Sequence, residues 1–172
     1  MGMDVFGNNP RNKEGEYFRN NVWWWRPLAD FILECYPEIA NKCEHWHSND
    51  GDGLDAHDAK ELAERLQADI ENGKVSEWEK NYNEWRSSLP REACEICNCT
   101  GIRSDERGVE MGMPDKELSP ENKILTGREY GWCNSCDGVG TKENWLSSYP
   151  FETDNVKEFA NFLKNSGGFK IC

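Results

Sequence analysis

Cys94-Glu-Ile-Cys97-Asn-Cys99-Thr-Gly101 and Cys133-Asn-Ser-Cys136-Asp-Gly138-Val-Gly140 each place a CxxC pair ahead of a tail that ends in glycine. CxxC sets two sulfurs on one tight turn. Two such turns supply the four ligands that tetrahedral structural zinc prefers, with Zn–S near ~2.3 Å. Gly101, Gly138 and Gly140 permit positive φ, so the chain can swing back beneath a metal where a Cβ would collide. The expectation is one structural Zn2+ held by Cys94, Cys97, Cys133 and Cys136. The eight cysteines leave two competing readings, a disulfide framework and a redox pair. The opening Met1-Gly2-Met3-Asp4 has no basic, apolar leader and no run reaches membrane-spanning length, which points to a reducing cytoplasm. There, paired CxxC units hold metal more often than they cross-link. Neither unit sits at a helix start after a buried strand, as a thioredoxin-type pair would.

Cys133 to Gly140 resembles the CxxCxGxG repeat of the cysteine-rich zinc domain of DnaJ-type cochaperones, and Cys94 to Gly101 resembles it with Cys99 in place of the first glycine. Four repeats make two zinc sites in that family, so two repeats imply one site, with the four CxxC cysteines as ligands. No His-Pro-Asp tripeptide occurs, so the resemblance implies the metal knuckle without the J domain. Met3-Asp4-Val5-Phe6-Gly7 and the stretch from Tyr17 to Leu28 are similar to small proteins encoded by bacteriophages and prophages. That resemblance implies a phage-encoded protein acting in a host cytoplasm.

A chain of 172 residues has the length of one domain with a substantial core. Eight Trp, seven Phe and five Tyr argue against disorder despite 30% charged residues. The net charge of -12 argues against direct nucleic-acid binding, which draws its affinity from Lys and Arg. From Glu44 to Lys80 eleven acidic side chains face four basic ones. That surplus is either a solvated helix face or a surface presented to a basic partner protein.

The periodicity predicts a strand over Met3 to Phe6, a turn at Asn8-Asn9-Pro10, and extended structure through Val22-Trp23-Trp24-Trp25, with at least two of the tryptophans in the core. Pro27 is placed at the first position of a helix that carries Leu28, Phe31, Ile32 and Cys35 inward and stops at Pro37. Cys35 reads as a small core residue. Asp55 caps a helix with Ala59, Leu62, Ala63, Leu66 and Ile70 on its apolar side, closed by Asn72-Gly73. Ser76 and Glu79 form a capping box for a helix carrying the stripe Trp78, Tyr82, Trp85. Asp154 caps a last helix, ended by Gly167-Gly168 before a strand at Phe169 to Ile171.

Cys43, His45 and His47 alternate, and on a strand they would share a face with Asp50 and Asp52 just beyond its end. Such a face could hold a second metal or do hydrolytic chemistry. No HExxH spacing is present, and aligning Gly53 with the calcium-loop glycine puts Ser48 and Ala59 at ligand positions. A loop that caps a helix is the simpler reading. The insertion 98–132 between the knuckles is predicted to carry strand pieces at Lys123 to Thr126 and Glu129 to Trp132, as a recognition loop or a spacer.

The fold expected is α+β: about four helices with a small, mostly antiparallel sheet, one domain over 1–172, and a zinc-stapled knuckle unit over about 91–142. The function expected is a non-catalytic zinc-containing protein-binding factor, a phage-encoded inhibitor or modulator of a host defence protein with a basic surface, without membrane association. A DnaJ-like chaperone or thiol factor and a metal-dependent hydrolase using His45, His47, Asp50 and Asp52 are the alternatives.

Overall fold

The computed structural model describes residues 2–172. In chain order its elements are β1 (Gly2–Gly7), β2 (Tyr17–Asn21), α1 (Val22–Cys35), α2 (Pro37–Ala40), α3 (Ala56–Glu71), α4 (Lys74–Ser88), β3 (Glu92–Ala93), α5 (Glu106–Glu110), α6 (Pro120–Thr126), β4 (Thr141–Lys142), α7 (Thr153–Ser166) and β5 (Phe169–Ile171). The class is α+β, with seven helices among the described residues instead of four; α2, α5 and α6 are the short ones. The chain forms two compact units, one built from residues up to Ser87 together with Ser148–Cys172, the other from Ser88–Ser147.

The first unit holds a three-stranded antiparallel sheet of order β2-β1-β5, with β1 paired on both sides. Met3 and Val5 alternate inward on β1, as the period-2 pattern requires, and Val5 sits opposite both Phe18 and Ile171. Helix α7 packs against the sheet and against α3. The Asp55 carboxylate accepts the Asp58 amide at 2.9 Å, and Ala59, Leu62, Ala63 and Leu66 are buried, so α3 forms where the cap and the apolar spacing place it. The outer edge of β5 is covered by the loop before α3: Gly51 N donates to Ile171 O at 2.7 Å, Ile171 N to Asp52 O at 2.8 Å, and Phe169 N to Leu54 O at 2.9 Å. This approach needs a glycine, because a Cβ on Gly53 would lie 1.9 Å from the Phe169 carbonyl oxygen.

Val22-Trp23-Trp24-Trp25 is helical, not extended. The Asn21 side chain accepts the Trp23 and Trp24 amides, so the helix starts at Val22 and Pro27 falls in its second turn. Asn155 on α7 donates to the Trp24 carbonyl at 3.3 Å and accepts from Asn20 at 2.6 Å, tying the strand-to-helix junction to α7. On a helix the three tryptophans point in three directions. Trp25 is fully buried, Trp24 is half-buried, and Trp23 is 43% exposed against Tyr149. One tryptophan therefore enters the core where two were expected.

That one organises the unit. Trp25 donates its indole N–H to the Trp46 carbonyl at 2.6 Å, and Trp46 donates its own to the Ala40 carbonyl at 2.9 Å. Their rings meet Phe159 and Phe169 at centroid distances of 5.6 to 6.4 Å. Both indoles thus bury their full area with the polar atom satisfied.

Two helix starts differ from expectation. Helix α4 begins at Lys74, whose amide donates to the Asn72 side chain at 3.0 Å, so Ser76 lies inside it and makes no capping box. Glu79 instead caps α7: its carboxylate accepts the Thr153 amide at 3.1 Å and the Thr153 hydroxyl at 2.6 Å. Asp154, expected as the cap, lies in the first turn. A cap supplied from 74 residues away escapes any local window. Replacing Glu79 by Ala should cost about 1 kcal/mol in denaturant unfolding, and Trp25→Ala roughly 3–5 kcal/mol. An unchanged midpoint for Glu79→Ala would show that the carboxylate does not hold α7.

Candidate metal centre

In the second unit β3 and β4 pair antiparallel and bring the two knuckles side by side. Each knuckle turns through two consecutive left-handed residues, Asn98 and Cys99 at φ 48 and 62° in the first, Asp137 and Gly138 at 51 and 85° in the second. The Cys94 amide crosses to the Gly140 carbonyl at 3.1 Å. Gly101 and Gly140 then direct their amides at Cys97 Sγ and Cys136 Sγ, at 3.2 Å each. These close approaches exclude any side chain: a Cβ on Gly101 would lie 2.2 Å from the Gly138 carbonyl oxygen, and one on Gly140 2.4 Å from that of Cys99. Gly138 fills a similar niche beneath Leu118, whereas Cys99, its counterpart, is exposed and carries its side chain outward.

All four CxxC cysteines are buried, and their sulfurs lie within 4.8 Å of one another. Cys94 Sγ to Cys133 Sγ is 3.9 Å and Cys97 Sγ to Cys136 Sγ is 3.7 Å. A tetrahedron of sulfurs ~2.3 Å from a central zinc has edges of about 3.8 Å. The spacing is that of a coordination shell and far beyond a disulfide bond, and all eight cysteines are free thiols. The donor set, the spacing and the amide donors to sulfur fit a metal ion, consistent with a zinc site.

Electrostatics point the same way. Burial pushes the Cys136 thiol up to about 12, with the other three cysteines adding to the shift, and burial likewise raises Cys133. Burial also works against ionisation of Cys94, but hydrogen bonds from the Cys97 amide and from the Ser135, Cys97 and Cys136 side chains outweigh it and bring that thiol down to about 7. The first proton leaves readily and the later ones are opposed by the charge already there. A dication among the sulfurs removes that opposition.

The segment between the knuckles is built and hydrogen-bonded. Leu118 N donates to Glu129 O, Gly131 N to Lys116 O, and Trp132 N to Met113 O, at 2.8 to 2.9 Å. Arg128 gathers the carbonyls of Tyr130, Gly131 and Gly138, so its guanidinium links this segment to the second knuckle. Lys123 to Thr126 is helix, not strand. Ser119 accepts the Asn122 amide, Pro120 occupies the first turn, and Gly127 at φ 69° ends α6.

His45, Asp50 and Asp52 of the histidine loop border one open cavity with Lys42 and Glu44, but they form no ligand cluster. No strand forms over Cys43 to His47, and among the described residues His45, His47, Asp50 and Asp52 make no common group of metal-type ligands. His47 pairs with Asp30 at 3.0 Å. Asp52 accepts the amides of Glu44, His45 and Gly53 at 2.6 to 3.0 Å; against the upward pull of burial, these hold its carboxyl below the usual range. It is a turn-closing carboxylate. Burial and the Asp52 carboxylate push the Cys43 thiol up to about 12, which suits a core group and not a nucleophile. His57, Asp58 and Glu61 do converge, a grouping that the i, i+4 spacing of His57 and Glu61 could have suggested, but the Lys42 ammonium already occupies Asp58 at 2.6 Å.

Comparison with known protein families, with curated proteins and with solved structures finds no match for this chain.

Two outcomes test the centre. Cys133→Ser should abolish metal retention and unfold residues 88–147, while the near-ultraviolet signature of the buried Trp25 and Trp46 persists; unchanged metal content and melting would rule the centre out. Because metal binding requires thiolates, acidification from neutral pH should release the ion with uptake of protons, so metal content falls as the pH falls. A metal content independent of pH from neutral to acid would contradict that sign.

Proposed function

We propose that the protein is a non-catalytic, zinc-containing protein-binding factor whose single Zn2+ is structural and is held by Cys94, Cys97, Cys133 and Cys136. The observation that carries this reading is the closed set of four buried sulfurs. Four protein ligands fill a tetrahedral zinc and leave no position for substrate or water, which is the arrangement of a structural centre. The metal would then serve to present the surface around it.

That surface supports binding. Val109, Met111, Ile124, Leu125 and Tyr130, all between the knuckles, expose 56 to 87% of their area. The cations of this unit are largely engaged: Arg91 with Glu143, Lys123 with Glu117, Arg103 with Asp105, and Arg128 with backbone carbonyls. Glu121 and Glu129 flank the exposed pair Ile124 and Leu125, so the partner expected is a protein with a basic, partly apolar surface. The resemblance of the amino-terminal stretch to phage-encoded proteins is what supports a host protein as that partner, a target to be modulated. A DnaJ-like chaperone factor is the second reading, favoured by the pairing of two CxxC knuckles with glycine tails.

Capture from a host lysate, with metal quantified on the same sample, separates the readings. One zinc per chain and a stoichiometric partner that Ile124→Asp, Leu125→Asp loses while keeping its zinc is the expected result. Two metals and no partner would overturn it, and suppression of aggregation of unfolded clients would favour the chaperone reading.

A further inference from the structure

Helices α3 and α7 pack side by side and run antiparallel, because Gly168, two residues past α7, lies against the start of α3. A Cβ on Gly168 would stand 2.9 Å from the Leu54 carbonyl oxygen and 3.0 Å from the Ala56 amide nitrogen. Alanines occupy the seam between the helices. Ala63 and Ala160 are 4 and 3% exposed, and with Ala68 they leave an open cavity of about 350 Å³ where larger side chains would fill the space.

The rim of the cavity is charged, and its charges are unevenly engaged. Lys60 and Glu64 pair at 3.6 Å and offset each other. Glu71 accepts the Gln67 side-chain amide at 2.8 Å and has no ion pair among the described residues. Arg11 is held beside Lys164 by its backbone amide, which donates to the Asn165 carbonyl at 2.9 Å. Neither the Arg11 guanidinium nor the Lys164 ammonium has an ion pair, a hydrogen bond or a ring contact among the described residues. In a chain with 32 acids and 20 bases, this cavity is bordered by three bases and two acids. The two unpaired cations stand where α7 ends and α3 begins, whereas Glu71 ends α3, about 16 Å of helix from Lys60. At the cationic end the dipoles of the two antiparallel helices oppose each other and cancel.

We propose that this seam binds a small monocarboxylate with an apolar tail, the carboxylate held by Arg11 and Lys164 and the tail lying on the methyl groups of Ala63, Ala68 and Ala160. The guanidinium fork matches a carboxylate bidentately, and the ammonium adds a point charge. One negative charge is the number that fits. With Lys60 and Glu64 offset, two cations face the single Glu71 carboxylate, so a dianion such as a phosphate monoester would leave an uncompensated negative charge beside Glu64 and Glu71. The volume lies at the lower end of small-molecule sites, which run from about 300 to 1,000 Å³. The site belongs to the first unit and takes a ligand of another class, so it stands apart from the protein-binding reading.

The test is a titration of the intact zinc-loaded, isotope-labelled protein with hexanoate, hexanol and hexylammonium, three ligands with one tail and different head charges. The readout is the alanine methyl resonances. Hexanoate should move the signals of Ala63, Ala68 and Ala160 and bind more tightly than hexanol by roughly fivefold or more. Hexylammonium should bind most weakly, and the advantage of hexanoate should shrink as salt is added. Arg11→Gln combined with Lys164→Gln, both at exposed positions, should remove that advantage while the near-ultraviolet signature of Trp25 and Trp46 stays. Binding that ignores the head charge, shifts that miss the three alanines, an advantage that survives the double substitution, or tighter binding of hexyl phosphate than of hexanoate would overturn the assignment.

Discussion

Four sulfurs 3.7 to 3.9 Å apart along two edges can all be thiolates only around a cation, and the second unit has little else to fold upon. Apart from these cysteines its buried hydrophobic residues are Met113 and Leu118. Its strands are two residues long and its helices five and seven. Elements that short do not stand alone. A zinc ion in such a site contributes roughly 10–16 kcal/mol to folding, the magnitude that a missing apolar core leaves to be supplied. A metal bound there would hold the two knuckles together, and Arg128 connects Gly138 of the second knuckle to the exposed segment.

The first unit works by other physics. Its core runs continuously from Met3 through Trp25, Trp46 and Leu62 to Phe159 and Ile171, and large aromatics contribute most of the buried area. Within that core each indole has a carbonyl, and Ser166 donates to Leu163 O at 3.0 Å. The chain thus combines a unit whose buried hydrophobic residues are mostly a cysteine tetrad with one whose stability comes from hydrophobic burial.

The knuckles were legible because their chemistry is local: two cysteines three apart, and glycines where the backbone must turn under a metal. Helix α3 was legible for the same reason, since its cap and its apolar face fall within sixteen residues. Val22 to Trp25 misled because aromatic and β-branched residues favour strands, and the decisive signals were Asn21 as a cap and the packing of Trp25. The stretch Lys123 to Thr126 misled similarly, although Ser119-Pro120 and Gly127 bracket a helix. The histidine loop looked like a site because its residue types are those of metal ligands. Its Asp and Gly residues instead close turns and lie along β5, and no spacing within the loop announces that a distant strand needs covering.

Strand β1 pairs with β5, so Val5 meets Ile171 with nearly the whole chain between them, while Cys97 and Cys136 are 39 residues apart. Closing a short loop costs less entropy than closing a long one. On a ribosome the knuckle unit can therefore reach its final form while the first unit still lacks both α7 and β5. Until then β1 has a partner on one side only, and its open edge must be kept from other chains. Residues 153–172 then complete the aromatic core and close that edge of β1.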